Sequence, residues 1–566
     1  MKKYLLLFIG GFLLAVSTQA SAAVRYVTET GTGDGSSWEN ASGSLQAMIN
    51  ASDAGDEIWV AKGVYKPTVP PNGEEDPRRK TFLLTKNVSI YGGFSGNETS
   101  RDARNWKENV TTLSGDLDGN DILDSGNAYR VFVAVDVEAG TTVDGLTITG
   151  AYNNDSVSLV INEKSFTRAY GGGISNHSSA LTYSNIIVMN DSASWGGGIY
   201  NNNSPAFFKN ITVKENKAAQ YGAGILNERA SHAHFENVSI YDNQTTVAGN
   251  TYGGGGVSNR SSNPTFINVS IYNNEGCTGG GMYNSSANPI LTNVAIYNNT
   301  STRTQGGAGM TNMGNSSPVL TNVTIAGNVA SARVGGIFFS GGTTMKIRNS
   351  IIWGNTLSDG TPANISLTNT QASLEQGTPA NTPEFSNTLI AGSTGSGSTW
   401  VTDMFDSGYI GEDKGNNIDS DPLFVDAENS DYKLTSTSPA IDKGDNTLYG
   451  AEQTPDLSSI QTDVVGNGRI YNNIIDMGAY EFSPASSLIS VNANEILLFA
   501  NPVEDFLFVR PGVTINKLSV YSTNGVLVDT QENVKNIVPV HQLQKGLYII
   551  RIESSLGVFT HKIIKN

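Results

Sequence analysis

The sequence predicts an all-β chain organised around a parallel β-helix, with a helical cap before it and a small β-sandwich after it. Three observations carry this. A glycine- and asparagine-marked motif recurs seven times, each repeat continues into a strand with one apolar face, and the composition suits tight turns better than long helices. The chain of 566 residues holds 62 glycines, six tryptophans and one cysteine, and only 15% of its residues are charged. That length invites a repeat array before a single core.

The repeats lie between Gly171 and Asn355, spaced by roughly 25 to 32 residues, within the range of solenoids. Six read as a glycine-rich triplet, an apolar residue, a variable residue and asparagine, from Gly171-Gly172-Gly173-Ile174-Ser175-Asn176 to Gly307-Ala308-Gly309-Met310-Thr311-Asn312; the seventh, Gly335-Gly336-Ile337, lacks the asparagine. A second strand opens on asparagine and alternates apolar residues, as in Asn237-Val238-Ser239-Ile240, which is strand periodicity with one buried face. A closing asparagine follows at Asn190, Asn216, Asn243, Asn274, Asn299, Asn328 and Asn355. No unit buries its apolar face alone. Stacking copies at the ~4.8 Å strand spacing closes a continuous core, glycine allows a tight corner, and asparagine tolerates left-handed backbone while its amide bonds to copies above and below.

The N-terminus has the form of a secretory signal: Lys2 and Lys3, an apolar run from Tyr4 to Val16, then Ala20-Ser21-Ala22, with cleavage expected after Ala22. No later stretch approaches the ~20 apolar residues of a spanning helix, so no transmembrane segment is expected in the mature chain. Ser44 to Ala51 is the best helix, placed to cover the open apolar end of the first rung, and Val143 to Ile148 belongs to early, less regular rungs. The single Cys277 is expected to be buried, and a net charge of −17 argues against nucleic acid or anionic lipid as partner.

These repeats resemble the right-handed parallel β-helix proteins of bacterial surfaces, within the pectate-lyase-like superfamily. Downstream, Asp421-Pro422-Leu423-Phe424, Ser438-Pro439-Ala440-Ile441-Asp442, Asp463, Gly466, Arg469 and Asp476 to Glu481 resemble the module that closes many such proteins, often labelled choice-of-anchor. That resemblance implies C-terminal capping, with the charged residues as internal ion pairs. The final segment, with Asn501-Pro502, Asn524-Gly525 and Leu543 to Ile552, makes short alternating strands and resembles the C-terminal sorting domain of type IX secretion cargo in Bacteroidetes. The organisation read from the sequence is a signal peptide at 1–22, cap and early rungs at 23–140, repeats at 141–390, a capping module at 391–484, a linker at 485–495 and a sorting domain at 496–566. The last segment implies handling by the type IX secretion machinery and a secreted or surface-attached protein.

Groups for chemistry are sparse. The asparagine-threonine-aspartate and glycine-histidine-glycine motifs of galacturonase-like hydrolases are missing, and His177, His232 and His234 are expected at surface turns. No cofactor is expected beyond calcium, for which Asp116, Asp118 and Asn120 offer the spacing of a hard-cation loop. Glu215 and Asp242 precede closing asparagines on adjacent rungs, a placement roughly 5 Å apart that resembles a retaining glycosidase pair. Tyr241, Tyr272 and Tyr297 recur at one position on three rungs, with Trp353 two rungs later, and form an outward strip suited to stacking on sugars or to bracing itself. The longest repeat inserts Thr245 to Tyr252 beside them. The leading expectation is a non-catalytic surface β-helix that binds glycan or host and matrix partners. Its alternatives are a polysaccharide lyase or glycosidase, and a structural surface component.

Overall fold

The computed structural model describes residues 22–566 except 74, 156–157, 167–168, 247–252, 304, 451–454, 484–497, 500–505, 510–514, 523–524, 535–536, 555–556 and 566. The expected cleavage site and the tip of the inserted loop therefore lie wholly or partly outside the described residues. The chain divides into two compact units at residues 482/483.

The first unit is a solenoid of parallel strands in three sheets. One coil runs through a glycine-led strand, Ile225–Glu228, an eight-residue strand, His234–Tyr241, and a two-residue strand, Gln244–Thr245. The next coil repeats it in strict register, pairing Ile225 with Val257, Val238 with Val269 and Ile240 with Ile271. The interior is a set of columns. Tyr183, Phe208, Phe235 and Phe266 stack at 4.9–5.0 Å between centroids, and Ile199, Ile225, Val257, Met282 and Met310 line the glycine-led side, all fully buried. Helix Leu45–Ala51, N-capped by the Ser44 hydroxyl, buries Leu45, Met48 and Ile49 against Val27, Ile58 and Phe82.

Asparagine ladders run through the regular coils of the stack. An inner one joins Asn176, Asn201, Asn227, Asn259, Asn284 and Asn312 through amide-to-carbonyl bonds of 2.8–2.9 Å. It begins where the Tyr183 hydroxyl donates to Asn176 and ends where Phe339 takes the asparagine position. A corner ladder joins Asn216, Asn243, Asn274, Asn299, Asn328, Asn355 and Asn364. Its first member corrects the sequence register by one residue. Asn190 has φ +55 and shares the left-handed corner with Glu215 and Asp242, so Asp191 stands in the ladder position and its N–H donates to Asn216.

A third asparagine column lies on the outer face of the long-strand sheet, and it differs from expectation. Asn210 and Asn237 do not open their strands but sit in the middle, each with φ +56. Strand parity explains the geometry. Phe208 points inward, and two-residue alternation would send Ile211 and Val213 outward; one left-handed residue at Asn210 switches the phase so that all three are buried. Asn185, Asn268, Asn293, Asn322, Asn349 and Asn387 do the same on other rungs.

At its C-terminal end the coil closes on Trp400, which packs with Phe385 at 6.0 Å and donates its indole N–H to the Gly411 carbonyl. Residues 421–450 and 455–482 then run back as a strap along the flank of the solenoid rather than over its end. The strap is pinned inside by Arg469, which bonds Glu481 at 2.7 Å with both side chains buried. Asp476 accepts from the N–H groups of Asp442 and Phe482, and Asp463 from those of Val465, Asn467 and Glu481. Burial pushes Glu481 up to about 7, against the pull of Arg469, and Asp476 up to about 6.

The second unit forms two antiparallel sheets among its described residues. One holds Leu498–Phe499, Phe506–Val509 and Ile537–Pro539; the other holds Leu527–Val534, Ile515–Ser522, Gly546–Ser554 and Gly557–Lys565. Its core comprises Leu518, Val520, Ile550 and Ile552.

Candidate functional site

The outer asparagine column is a track that the chain itself covers from both ends. At the C-terminal end each rung gives hydrogen bonds to the strap. Asn268 donates to Thr462 Oγ1 at 3.3 Å and Asn293 to the Thr462 carbonyl at 2.7 Å. Asn322 donates to the Asp476 carbonyl, Asn349 to that of Asp445 and Asn387 to that of Lys443. Gly478 lies flat on the sheet, where a Cβ would meet Thr324 Oγ1 and Ile351 Cδ1 at 2.8 Å. At the other end the column position falls to Gly145, φ +72, because the segment carrying Arg104 and Trp106 passes directly over it; a Cβ there would meet Arg104 Nη1 at 2.6 Å. Arg104 holds that cover in place through Asp144 at 2.6 Å and the Gly92 carbonyl.

Between these covers lies a window of three rungs, Asn185, Asn210 and Asn237. An asparagine amide has two N–H donors. Asn210 and Asn237 each spend one along the column, on Asn185 and Asn210 respectively, and the second faces outward without a protein partner among the described residues. One side of the window is flanked by Phe207 and His234, 4.8 Å apart, and by the Lys209–Glu236 pair at 3.0 Å. The other side carries Thr212, Ser239, Lys214 and Tyr241 on outward-facing positions.

The predicted tyrosines run from the last rung of this window, at Tyr241, onto the two strap-covered rungs beyond it. Their rings stack on one another, Tyr241 on Tyr272 at 4.8 Å and Tyr272 on Tyr297 at 4.9 Å, with interplanar angles of 11° and 0°. The ring faces are thus engaged within the column, which leaves ring edges rather than faces on its outer side. Burial grows toward the strap: it pushes Tyr272 up to about 12 and Tyr297 further, where Tyr432 of the strap packs 5.2 Å away. Tyr241 is the end of the column that borders the window.

The other predicted residues are placed as follows. Glu215 and Asp242 occupy equivalent left-handed corners on adjacent rungs, which Asn273 and Asn298 fill on the next two; Glu215 is paired with its neighbour Lys214 at 3.0 Å. Asp116, Asp118 and Asn120 form a self-closed loop. Asp116 accepts from the N–H groups of Gly119, Asn120 and Asp121, while the Asn120 amide bridges Asp118 and Asp124. Although burial opposes it, the Gly119 and Asp121 N–H groups hold Asp116 below the usual carboxylate range. Among the described residues no group of three or more His, Cys, Asp or Glu side chains converges as metal ligands. His232 is exposed and His234 half-buried, but the expectation of a surface turn fails for His177. It ends strand Ile174–His177, is 5% exposed, and bonds Ser175 and Asn202, so burial holds it well below its usual range. Cys277 is buried as expected.

A cluster on the outer side of the glycine-led sheet was not foreseen. Tyr170 stacks on Trp195 at 4.4 Å, and the Arg260 guanidinium lies 4.7 Å and 4.4 Å from the rings of Trp195 and Tyr221 while bonding Glu228 at 2.6 Å. The Tyr200 hydroxyl takes the other Glu228 oxygen and Trp195 donates to Gln220. These groups are consumed by each other, so the cluster is a brace. Its signal was present in the sequence, since Tyr170, Trp195 and Tyr221 each immediately precede a glycine-led triplet.

Comparison with known proteins agrees with this architecture. The family described as right handed beta helix region matches residues 198–378, and the secretion system C-terminal sorting domain matches residues 497–566. The first unit is thus a β-helix, of the right-handed kind over residues 198–378, and the chain carries a secretion sorting domain at 497–566. That tail marks this β-helix protein for type IX secretion and the cell surface. Among solved structures, pectate lyase Pel9A is similar over 82% of this chain and 97% of its own, at 12% identity and a TM-score of 0.46. XylC in complex with xylose is similar over 81% and 98%, at 12% identity and a TM-score of 0.40. The Dettilon tailspike protein covers 65% and 62%, at 10% identity and 0.36. No curated protein matches the sequence. Among the described residues no helix is long and apolar enough to cross a membrane.

Proposed function

We propose that this β-helix protein binds a glycan at the cell surface, through the three-rung window of its long-strand sheet, without turning it over. One observation carries the reading: the outward amide N–H groups of Asn210 and Asn237 stand unclaimed in a column whose equivalents at Asn268, Asn293, Asn322, Asn349 and Asn387 all bond acceptors of the strap. The track is built to receive oxygen acceptors in a line. Its backbone groups are already paired within the sheet, so an incoming peptide has no edge to extend as a new strand. A polymer bearing hydroxyl and carbonyl oxygens at every unit suits side-chain amides, Ser and Thr hydroxyls and tyrosine edges better. Of the carboxylates near the window, Glu236 is paired with Lys209 and Glu215 with Lys214, which leaves Asp242 without the free carboxylate partner that a catalytic pair needs and favours holding over proton transfer.

The test uses the secreted chain and a panel of neutral and acidic polysaccharides, following retention together with the release of new reducing or ultraviolet-absorbing ends. Retention without turnover, weakened by Asn210→Ala and Asn237→Ala, supports the reading. Turnover of any substrate replaces binding with catalysis, and retention unchanged in the double variant removes the window.

A further inference from the structure

The window has a closed end. Where the Trp106 segment crosses the sheet it leaves a recess of about 230 Å³, lined by Trp106, Val110, Leu146, Thr147, Asn185 and Ile187. Its walls are largely apolar, while its mouth opens on the asparagine column one rung before Asn210. Lys107, its one cation, lies 5.4 Å from the Trp106 ring. The charges around the window are balanced: Arg104 is paired with Asp144, Lys209 with Glu236 and Lys214 with Glu215, Asp242 adds a further carboxylate, and the whole chain carries −17. A polyanion meets little uncompensated positive charge here.

We propose that the ligand of this window is a neutral glycan of N-acetylated amino sugars, with one acetamido group seated in the Trp106–Ile187 recess. This rests on the glycan-binding reading and names its substrate class. The acetamido methyl replaces water against Trp106, Val110, Leu146 and Ile187, where a ring hydroxyl would have to give up its hydration to an apolar wall. The acetamido oxygen is an acceptor of the same kind as the strap carbonyls that the column takes at Asn293 and Asn322, and the outward N–H of Asn210 is one rung away. The recess therefore reads the substituent, and the column reads the polymer.

The experiment measures affinity of the full chain for three soluble probes of matched length: oligomers of β-1,4-linked N-acetylglucosamine, oligomers of β-1,4-linked glucose, which differ only in the 2-substituent, and oligogalacturonate. One buried methyl and one added hydrogen bond correspond to roughly tenfold tighter binding of the acetylated probe than of the glucose probe. Trp106→Ala reduces that ratio toward one. Because Trp106 also packs on the sheet, Val110→Asp serves as a second variant; Val110 is 49% exposed, and placing a carboxylate at the recess lowers affinity for the acetylated probe while sparing the glucose probe. Equal affinity for the two neutral probes, or preference for the galacturonate, overturns the recess and leaves the glycan-binding face standing. Failure of all three, with the fold intact by circular dichroism, overturns both.

Discussion

Asp191 stands where the next six coils have asparagine, and its replacement by asparagine tests the ladder quantitatively. One Asp191 oxygen accepts the Ala151 N–H at 2.8 Å, as the Asn216 oxygen accepts that of Asp191. The other oxygen is the counterpart of the Asn216 amide nitrogen, which donates to the Val188 carbonyl and to Asn243, and it has no hydrogen-bond partner as a carboxylate. The side chain is fully buried, and burial raises its pKa well above the usual carboxylate value. With the folded pKa above the unfolded one, near 3.9, the folded state holds the proton longer, and this site loses stability as pH rises between the two values. The loss is about 1.4 kcal/mol per pH unit within that window. Asparagine supplies the missing donor at every pH. Asp191→Asn is therefore expected to match the native chain near pH 4 and to gain about 1–3 kcal/mol by pH 7. Because solenoids open in local units, the assay is amide hydrogen exchange of residues 174–216 at pH-corrected rates, alongside thermal unfolding at pH 4, 5.5 and 7. A gain that does not change with pH, or a loss at pH 7, refutes the protonated-ladder account.

The strap gives further predictions. Arg469→Met strands Glu481 in the interior and is expected to cost about 3–5 kcal/mol of local stability, read as faster exchange in residues 421–482 with the rungs at 199–245 unaffected. Asp476 and Glu481 have folded pKa values raised to about 6 and about 7, so strap protection is fullest below pH 4, falls as pH rises to 7, and is flat above it. The loss is on the order of 3 kcal/mol for Glu481 alone, and exchange of the strap at pH 5 and pH 8 measures it. Gly478→Ala drives a Cβ into Thr324 and Ile351 at a residue with φ +95 and is expected to lower the same protection by about 2–4 kcal/mol. Asn243→Ala breaks the corner ladder in the middle, taking the Asn243 oxygen from the Asn216 N–H and amide while the Asn274 oxygen keeps only the backbone N–H of residue 243, and is expected to destabilise the fold by about 2–4 kcal/mol, read as a lower melting transition.

Periodicity made the solenoid legible, because burial and stacking act on every repeat alike and leave the same mark each time. The inner and corner asparagines were read as ladders, and the amphipathic helix expected over Ser44 to Ala51 forms at Leu45–Ala51. The register slip at Asn190 and Asp191 arose because two asparagine-tolerant positions are adjacent, one left-handed and one in the ladder, and sequence alone does not say which is which. Asn210 was taken to open a strand because the phase switch it makes hides the upstream half, Phe207 and Phe208, from a two-residue pattern. The window was not legible at all. It is defined by what covers the column elsewhere, and the contacts of Asn293 with Thr462 and Arg469 join residues 169 and 176 apart in sequence. The tyrosine column was found, but ring stacking along the solenoid axis directs edges rather than faces outward.

The central claim is that the uncovered asparagines form the ligand contact. Its most direct measurement is titration of the full chain and of the Asn210→Ala/Asn237→Ala double variant with the best-retained glycan from the panel, by calorimetry, with thermal unfolding as the control for fold. Two lost hydrogen bonds predict affinity weaker by roughly tenfold to a hundredfold; alanine at two left-handed positions also costs on the order of 1–2 kcal/mol of stability each, which the unfolding control reads separately. Affinity equal to that of the native chain, with the ladder variant Asn243→Ala the one that weakens it, contradicts the account.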